Sequence, residues 1–238
     1  MHIGANNPLY TYHIRDNNST MILETTLAEK DLGVYIDPLL CFKDHINNTI
    51  KKSKSMVGLL NRTITYKSAE IMVPLYKTLI RPILEYANSV WCPYLRKDID
   101  SIENIQKHFT RNIIGMASLD YSDRLKVLGI PSLEFRRVRG DLIEMFKICH
   151  ELYDPVSTKP LINFVNVENP TRKNHCFKLM KLRLNYDFCK YFFSNRVINL
   201  WNSLDSETAN ATSLNSFKNK VDKLLKDYMF CTNLNIYY

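Results

Sequence analysis

Basic side chains without acidic neighbours are the part of this sequence best suited to chemistry. The window 51–67 contains no Asp or Glu and carries five cations, Lys51, Lys52, Lys54, Arg62 and Lys67. On a helix they would face outward beside Asn47, Asn48 and Asn61. A cationic face flanked by amides can neutralise nucleic-acid phosphates. The alternative is a helix face that is merely solvated.

Two further basic runs lie later in the chain. One is free of acids and consists of Arg172, Lys173, His175, Lys178, Lys181 and Arg183. The other, Arg136, Arg137 and Arg139, falls near a predicted helix start, where the helix dipole disfavours cations. That position predicts either an anionic partner or a buried ion pair with Glu134 or Asp141.

Other catalytic or metal-binding chemistry is not indicated. The six cysteines form no C-x-x-C pair, and the chain has no phosphate-binding glycine loop, nucleophile elbow or adjacent Asp-Asp pair. Asp98 and Asp100 are better explained by a helix start than by a metal site. The sequence predicts no catalytic residue and no metal ligand, and His175-Cys176 are not expected to form a site.

Composition limits the class of protein. The 238 residues carry a net charge of +8 and only six glycines, which favours helices over a many-turned β fold. The N-terminus lacks a signal-peptide pattern, and no apolar run is long enough to cross a bilayer. We therefore expect an intracellular protein of the nucleus or cytoplasm, with reduced thiols and no membrane partner.

The periodicity predicts a mainly α fold that begins with a small β-hairpin. Residues 1–40 alternate in period 2, with the hairpin formed by the runs 21–25 and 32–36. Residues 41–120 read as a helical domain, and 121–238 as a helical extension with a loop near 154–176. Two basic and five acidic residues give the first region a charge of −3, so the basic excess begins after residue 40.

The helical stripes can be placed more closely. One apolar face runs from Ile46 to Ile64, and a second includes Ile71, Leu75, Leu79 and Ile83, with Pro74 and Pro82 predicting a kink or split. Residues 100–103 resemble a capping box. Ser122 and Ser132 are predicted to cap the next two helices, the first ending at Gly129.

Several strings, in order along nearly the whole chain, resemble one family. They are EKDLGVYID at 29–37, FKDHI at 42–46, LYKTLIRPILEY at 75–86, WCPY at 91–94, RRVRGDLI at 136–143, FSNRVINLWNSL at 193–204 and SFKN at 216–219. The chain resembles the region beyond the catalytic palm of non-LTR retrotransposon reverse transcriptases, in the jockey-like and chicken-repeat-like branches.

The resemblance implies a role in gripping nucleic acid. In that family the polymerase carboxylates lie upstream, so Met1 is expected to be an internal methionine and the chain to be inactive alone. The intact enzyme would use Mg²⁺, which this chain is not expected to bind as a cofactor. Residues 1–40 would be a palm remnant whose Leu32-Gly33 hairpin is the primer grip. Residues 41–120 would be the thumb, with an RNA template and a DNA primer as partners.

Two other interpretations remain open. The chain could be a non-enzymatic helical nucleic-acid-binding module derived from a decayed element. It could instead be a helical protein-interaction module whose charge is incidental. The polymerase and the nucleic-acid-binding interpretations share a fold and differ in what precedes Met1, whereas the protein-interaction module would show no salt-dependent binding to a duplex. Whether the chain belongs to an active enzyme is not decided by its sequence, nor is its oligomeric state.

Overall fold

The computed structural model describes residues 1–4, 6–16, 19–165, 175–182, 187–232 and 234. As predicted, the fold is mainly α with a small β portion at its N-terminal end. Within the described ranges, no helix has both the length and the apolar character needed to span a bilayer.

Two short antiparallel hairpins occupy the N-terminal region. β1 (His13–Asp16) pairs with β2 (Ser19–Ile22), and β3 (Glu29–Asp31) pairs with β4 (Val34–Ile36). The predicted pairing of 21–25 with 32–36 is wrong. Leu32 and Gly33 both have positive φ, at 42° and 87°, so they form a two-residue turn that folds β4 back onto β3.

The remaining elements are helical. In chain order they are α1 (Lys43–Thr63), α2 (Ala69–Leu75), a π-helical segment (Tyr76–Ile80), α3 (Arg81–Glu85), α4 (Asn88–Trp91), α5 (Arg96–Arg111), α6 (Tyr121–Leu128), α7 (Leu133–Cys149), α8 (Pro155–Thr158), a 3₁₀ turn (Lys159–Leu161), α9 (Asp187–Lys190), α10 (Phe193–Arg196), α11 (Ile198–Asn202), α12 (Ser206–Ala209), α13 (Leu214–Leu224) and a 3₁₀ turn (Lys226–Tyr228). The predicted loop near 154–176 therefore includes α8 and the 3₁₀ turn that follows it.

Two apolar clusters make up the core. The first joins β4 with α1 to α6 and ends at Leu133, the first residue of α7. The second begins at Phe135 and joins α7 with α10 to α13. The predicted domain division at residue 120 stays a prediction, because these clusters describe packing and not independent folding.

The predicted apolar face of the α2–α3 stretch is wrong by one position. Met72, Tyr76, Ile80 and Leu84 are buried, whereas Ile71 and Leu79 are exposed. Both sets repeat every four residues, so spacing alone does not separate them. The buried set is the one that contains Tyr76, whose hydroxyl donates to Oε1 of Gln106 in α5.

The two prolines do not split this stretch into separate helices. Pro74 lies inside α2, and the chain continues through the π-helical segment into α3. There the N–H of Arg81 bonds to the carbonyl of Tyr76, five residues earlier. Pro82 has no N–H, and the wider π-helical turn just before it accommodates that missing donor.

Glu103 links α5 to the start of α7. α5 begins at Arg96, so the predicted capping box at 100–103 is wrong. Glu103 is buried instead, and its carboxylate accepts the N–H groups of Leu133 and Glu134, both at 3.2 Å, and the hydroxyl of Tyr121. It thereby satisfies donors at the N-terminus of α7 that have no partner within the helix.

Of the two predicted serine caps, one is confirmed and one is wrong. Ser132 caps α7 as predicted, because its Oγ accepts the N–H of Phe135 at 3.1 Å. Ser122 lies inside α6, whose N-cap position is taken by Asp120. Gly129 ends α6 in the left-handed region, as predicted.

The β3–β4 hairpin is docked on the helices by two side chains. Nδ1 of buried His45 accepts the N–H of Tyr35 at 3.3 Å, and its ring centroid lies 4.8 Å from that of Trp91. Burial lowers the pKa of His45 below its ordinary value of 6.5, and nearby Lys52 lowers it further. Tyr86 contacts the turn from the end of α3.

A buried ion pair lies in the second half of the core, and its arginine also bonds to the first half. Nε and Nη2 of Arg196 in α10 donate to the carboxylate of Asp141 in α7, each at 2.8 Å. The same guanidinium donates to the carbonyls of Tyr191 and Ser89, at 3.1 and 3.2 Å. Ser89 belongs to α4 and therefore to the first half of the core.

Removing one partner of this pair should destabilise the whole protein. We expect Arg196→Met to lower the free energy of unfolding by about 3–5 kcal/mol, because it leaves the Asp141 carboxylate buried and uncompensated. The double substitution Asp141→Leu with Arg196→Met should cost less, since no charge is then left unpaired. Urea denaturation measures both. The exposed pair Asp123–Lys126 is the control, and Asp123→Asn should change stability by less than about 1 kcal/mol.

Acid should loosen the hairpin through His45. A protonated Nδ1 cannot accept the Tyr35 N–H, and the folded pKa is depressed, so this interaction is retained near neutral pH and lost as pH falls below 6.5. We expect the exchange protection factor of the Tyr35 amide to fall over that range. His45→Asn keeps an acceptor without titrating, so its protection should stay flat with pH. Equal pH dependence in both proteins would contradict the assignment.

Candidate nucleic-acid interface

The basic residues of α1 lie on its solvent side. The helix buries Ile46, Ser53, Val57 and Leu60, and it leaves Lys51, Lys52, Lys54 and Arg62 exposed. Within the described ranges, none of these four forms an ion pair with a carboxylate. The predicted apolar stripe of this helix is thus confirmed, and its cations remain available to a ligand.

Lys67 stands apart from the other four. It lies in the segment after α1 and is half-buried, and its carbonyl accepts the N–H of Ile114 at 3.0 Å. This bond ties the end of the α1–α2 connection to the residues that follow α5. Lys67 therefore follows α1 in the chain and does not belong to the helix itself.

A groove of about 590 Å³ runs between the surfaces of α1 and α5. The side of α1 contributes Asn47, Ile50, Lys54, Val57, Gly58 and Asn61. The side of α5 contributes Ser101, Asn104, Ile105 and His108. The apolar members come from the packed faces of the two helices, and the polar members line the opening. We call this feature the α1–α5 groove.

Two groups of the α1–α5 groove are suited to a polar ligand. Oδ1 of Asn61 is buried and has no hydrogen-bond partner. A Cβ at Gly58 would lie 3.7 Å from Nη1 of Arg62, so the guanidinium lies beside Gly58, one of the residues that line the groove. A ligand that brings both phosphate oxygens and hydroxyl donors would satisfy these groups.

The α5 side of the groove was not predicted. Ser101, Asn104 and His108 recur at spacings of three and four, which places them on one face of a helix. Only the packing of α5 against α1 brings them opposite Asn47 and Asn61, and spacing within α5 does not predict that.

Leu32 and Gly33 form the exposed tip of the β3–β4 hairpin. Leu32 is 85% exposed, and its carbonyl accepts the hydroxyl of Tyr86 at 2.8 Å. A Cβ on Gly33 would lie 3.3 Å from the Tyr86 ring. Two local features therefore favour glycine at position 33, its positive φ and the closeness of this ring. A contact of this tip with a primer stays a prediction.

The three arginines of α7 differ from one another. Nη2 of Arg136 donates to Oε2 of Glu85, and Nη2 of Arg139 donates to Oδ2 of Asp222, both at 2.8 Å. These two arginines do form ion pairs, but the pairs are only partly buried and the predicted partners Glu134 and Asp141 are wrong for them. Arg137 is buried without a partner for its Nη2.

The second basic run forms no described site. Arg172, Lys173 and Arg183 lie outside the described residues. His175 is buried, and its Nε2 lies 3.1 Å from the carbonyl of Trp201. Cys176 lies within hydrogen-bonding distance of Asn210.

The resemblance implies Mg²⁺ for an intact enzyme. Across the ranges described, no three His, Cys, Asp or Glu residues come together as ligands for a cation. The described residues therefore do not fit a catalytic Mg²⁺ pair.

Gly33 provides a test of how the hairpin is held. We expect Gly33→Ala to lower the free energy of unfolding by about 1–2 kcal/mol, because the left-handed backbone and the Tyr86 ring both oppose a Cβ. Gly58→Ala is the matched control. Gly58 lies inside α1 with room for a Cβ, so that change should stabilise the protein by about 0.5–1 kcal/mol. Chemical denaturation of both proteins measures the difference, and an unchanged stability of Gly33→Ala would contradict the docking.

The comparisons with known proteins give little. No protein-family model matches the chain, and no solved structure matches it at a significant level. The uncharacterized protein B0403.1 of Caenorhabditis elegans is 23% identical to it over 111 residues. Those residues are 45% of this chain and 56% of the nematode protein, so the match spans about half of each. The function of this chain must therefore be argued from its own residues.

Proposed function

We propose that this chain binds an RNA–DNA template–primer duplex, as the thumb region of a non-LTR retrotransposon reverse transcriptase. The α1–α5 groove carries the proposal. Its lining combines Lys54 with amide, hydroxyl and imidazole groups, and Lys51, Lys52 and Arg62 are exposed on the same helix. By the resemblance, the chain would form the C-terminal part of an RNA-directed DNA polymerase that acts inside the cell, in the nucleus or cytoplasm.

The chemistry of an RNA-containing duplex fits this groove. Such a duplex presents phosphates along its backbone and 2′-hydroxyls in a wide, shallow minor groove, and proteins contact it through both. Lys51, Lys52, Lys54 and Arg62 would meet the phosphates. The exposed amides of Asn47 and Asn104 would pair with 2′-hydroxyls, which DNA lacks. Recognition of this kind reads shape and not sequence.

The proposed role is binding and not nucleotidyl transfer. The 238 residues contain no adjacent Asp pair, and two-metal catalysis needs carboxylates that hold both ions. The polymerase and the decayed-element interpretations therefore agree on what these residues do, which is to hold a duplex. The protein-interaction interpretation disagrees, because it predicts no salt-dependent affinity for nucleic acid.

Removing charge from α1 should weaken duplex binding. We expect Lys51→Gln with Lys52→Gln and Lys54→Gln to lower the affinity for an RNA–DNA hybrid and to reduce the slope of log affinity against log salt by about 1 for each lost phosphate contact. Fluorescence anisotropy over a series of salt concentrations measures both quantities. Circular dichroism should be unchanged, since the three side chains are exposed.

A charge-matched variant controls for net charge. Lys159, Lys223 and Lys226 are exposed and lie outside the α1–α5 groove. Their replacement by Gln removes the same number of charges and should leave most of the affinity and slope intact. An equal loss in both variants would mean that the binding follows net charge and not the cations of α1. No binding of the unsubstituted chain at low salt would remove the duplex role altogether.

A further inference from the structure

A second cavity lies beside α7, and most of its charged lining residues are cations. Its volume is about 270 Å³, and it lies between the end of α3, the start of α4, α7 and α13. Its charged lining residues are Glu85, Arg136, Arg137, Arg139, Glu144 and Lys218. It shares no lining residue with the α1–α5 groove, so an inference about it does not depend on the proposed function.

The charges in this cavity do not cancel. Glu85 is paired with Arg136, and Glu144 accepts from Lys147 at 2.7 Å and from the Tyr153 hydroxyl. Arg139 is paired with Asp222. Among the described residues, no carboxylate forms an ion pair with Arg137 or Lys218. Within the described part of the chain, these two cations therefore have no carboxylate at ion-pair distance, although the buried Glu103 carboxylate interacts with Arg137 at longer range.

Arg137 is the main reason to expect a ligand in this cavity. Its side chain is only 4% exposed, and its Nη2 has no hydrogen-bond partner. A buried guanidinium donor without an acceptor is costly, since it has lost its water without gaining a replacement. Oδ1 of Asn88, also in the cavity lining, is buried and unpartnered as well. The two residues that carry these unsatisfied atoms of opposite character both line this cavity.

We propose that this cavity binds a phosphate group. A phosphate brings several acceptor oxygens for Arg137 and Lys218, and a protonated phosphate oxygen or an ester hydroxyl can donate to Asn88. Ligand cavities for larger molecules usually have about 300–1,000 Å³, so this volume suits a phosphate or a small phosphomonoester.

Calorimetry with the full chain tests the site. Inorganic phosphate is titrated at constant ionic strength, with sodium chloride as the reference anion. We expect saturable binding to the unsubstituted chain, weakened about tenfold or more by Lys218→Gln and by Arg137→Met. Lys51→Gln with Lys52→Gln and Lys54→Gln should bind phosphate as the unsubstituted chain does. If Arg137→Met does not fold, the half-buried Lys218 decides the question.

Two oligonucleotides identify the source of the phosphate. A short 5′-phosphorylated strand that competes with inorganic phosphate, while its 5′-hydroxyl counterpart does not, would identify a nucleic-acid end as the ligand. Saturable phosphate binding without competition would identify a free phosphate or small phosphomonoester. Heats that match the chloride reference, or unchanged affinity in both Lys218→Gln and Arg137→Met, would overturn the proposal.

Discussion

The buried ion pair between Asp141 and Arg196 is the interaction on which the arrangement of the helices depends. Both side chains are at most 4% exposed, so each has lost its hydration on folding. The bidentate contact to Asp141 and the backbone carbonyls around Arg196 replace that hydration. A buried pair of this kind adds little net stability relative to an apolar pair. We infer that its main effect is to specify one arrangement, since any slip would leave a buried charge unpaired.

The short helix α4 passes this constraint to the N-terminal hairpin. Arg196 holds its first turn through the Ser89 carbonyl, and Trp91 at its end packs against the ring of His45 in α1. Tyr86, just before α4, holds the carbonyl of Leu32. Arg196 of α10 therefore holds the segment that places the hairpin tip beside α1. Four of the sequence segments on which the resemblance rests, 29–37, 75–86, 91–94 and 193–204, meet at this junction.

The sequence predicted those features that a single helix specifies by itself. The stripe of α1 was correct because this helix packs along most of its length against one core, and the Ser132 cap is local. Features that depend on a partner far along the chain were missed. The choice between Tyr76 and Leu75 as the buried residue depends on Gln106, and the role of Glu103 depends on the start of α7. The α5 side of the groove was missed for the same reason, since only packing brings it opposite α1.

The distribution of cations separates structure from function in this chain. Arg136, Arg139 and Arg196 all bond to carboxylates, and two of them lie in the first half of α7, where the helix dipole opposes a positive charge. A cation at such a position needs a counterion to be tolerated, so its partner explains it. The exposed cations of α1 need no partner to be tolerated, because water solvates them. Folding does not require their concentration in one acid-free window beside a polar groove, which is why α1 is the proposed duplex-binding surface. Arg137 belongs to neither group. It is buried like a structural arginine, yet no carboxylate of the described residues lies within ion-pair distance of it, and a bound anion would take that place.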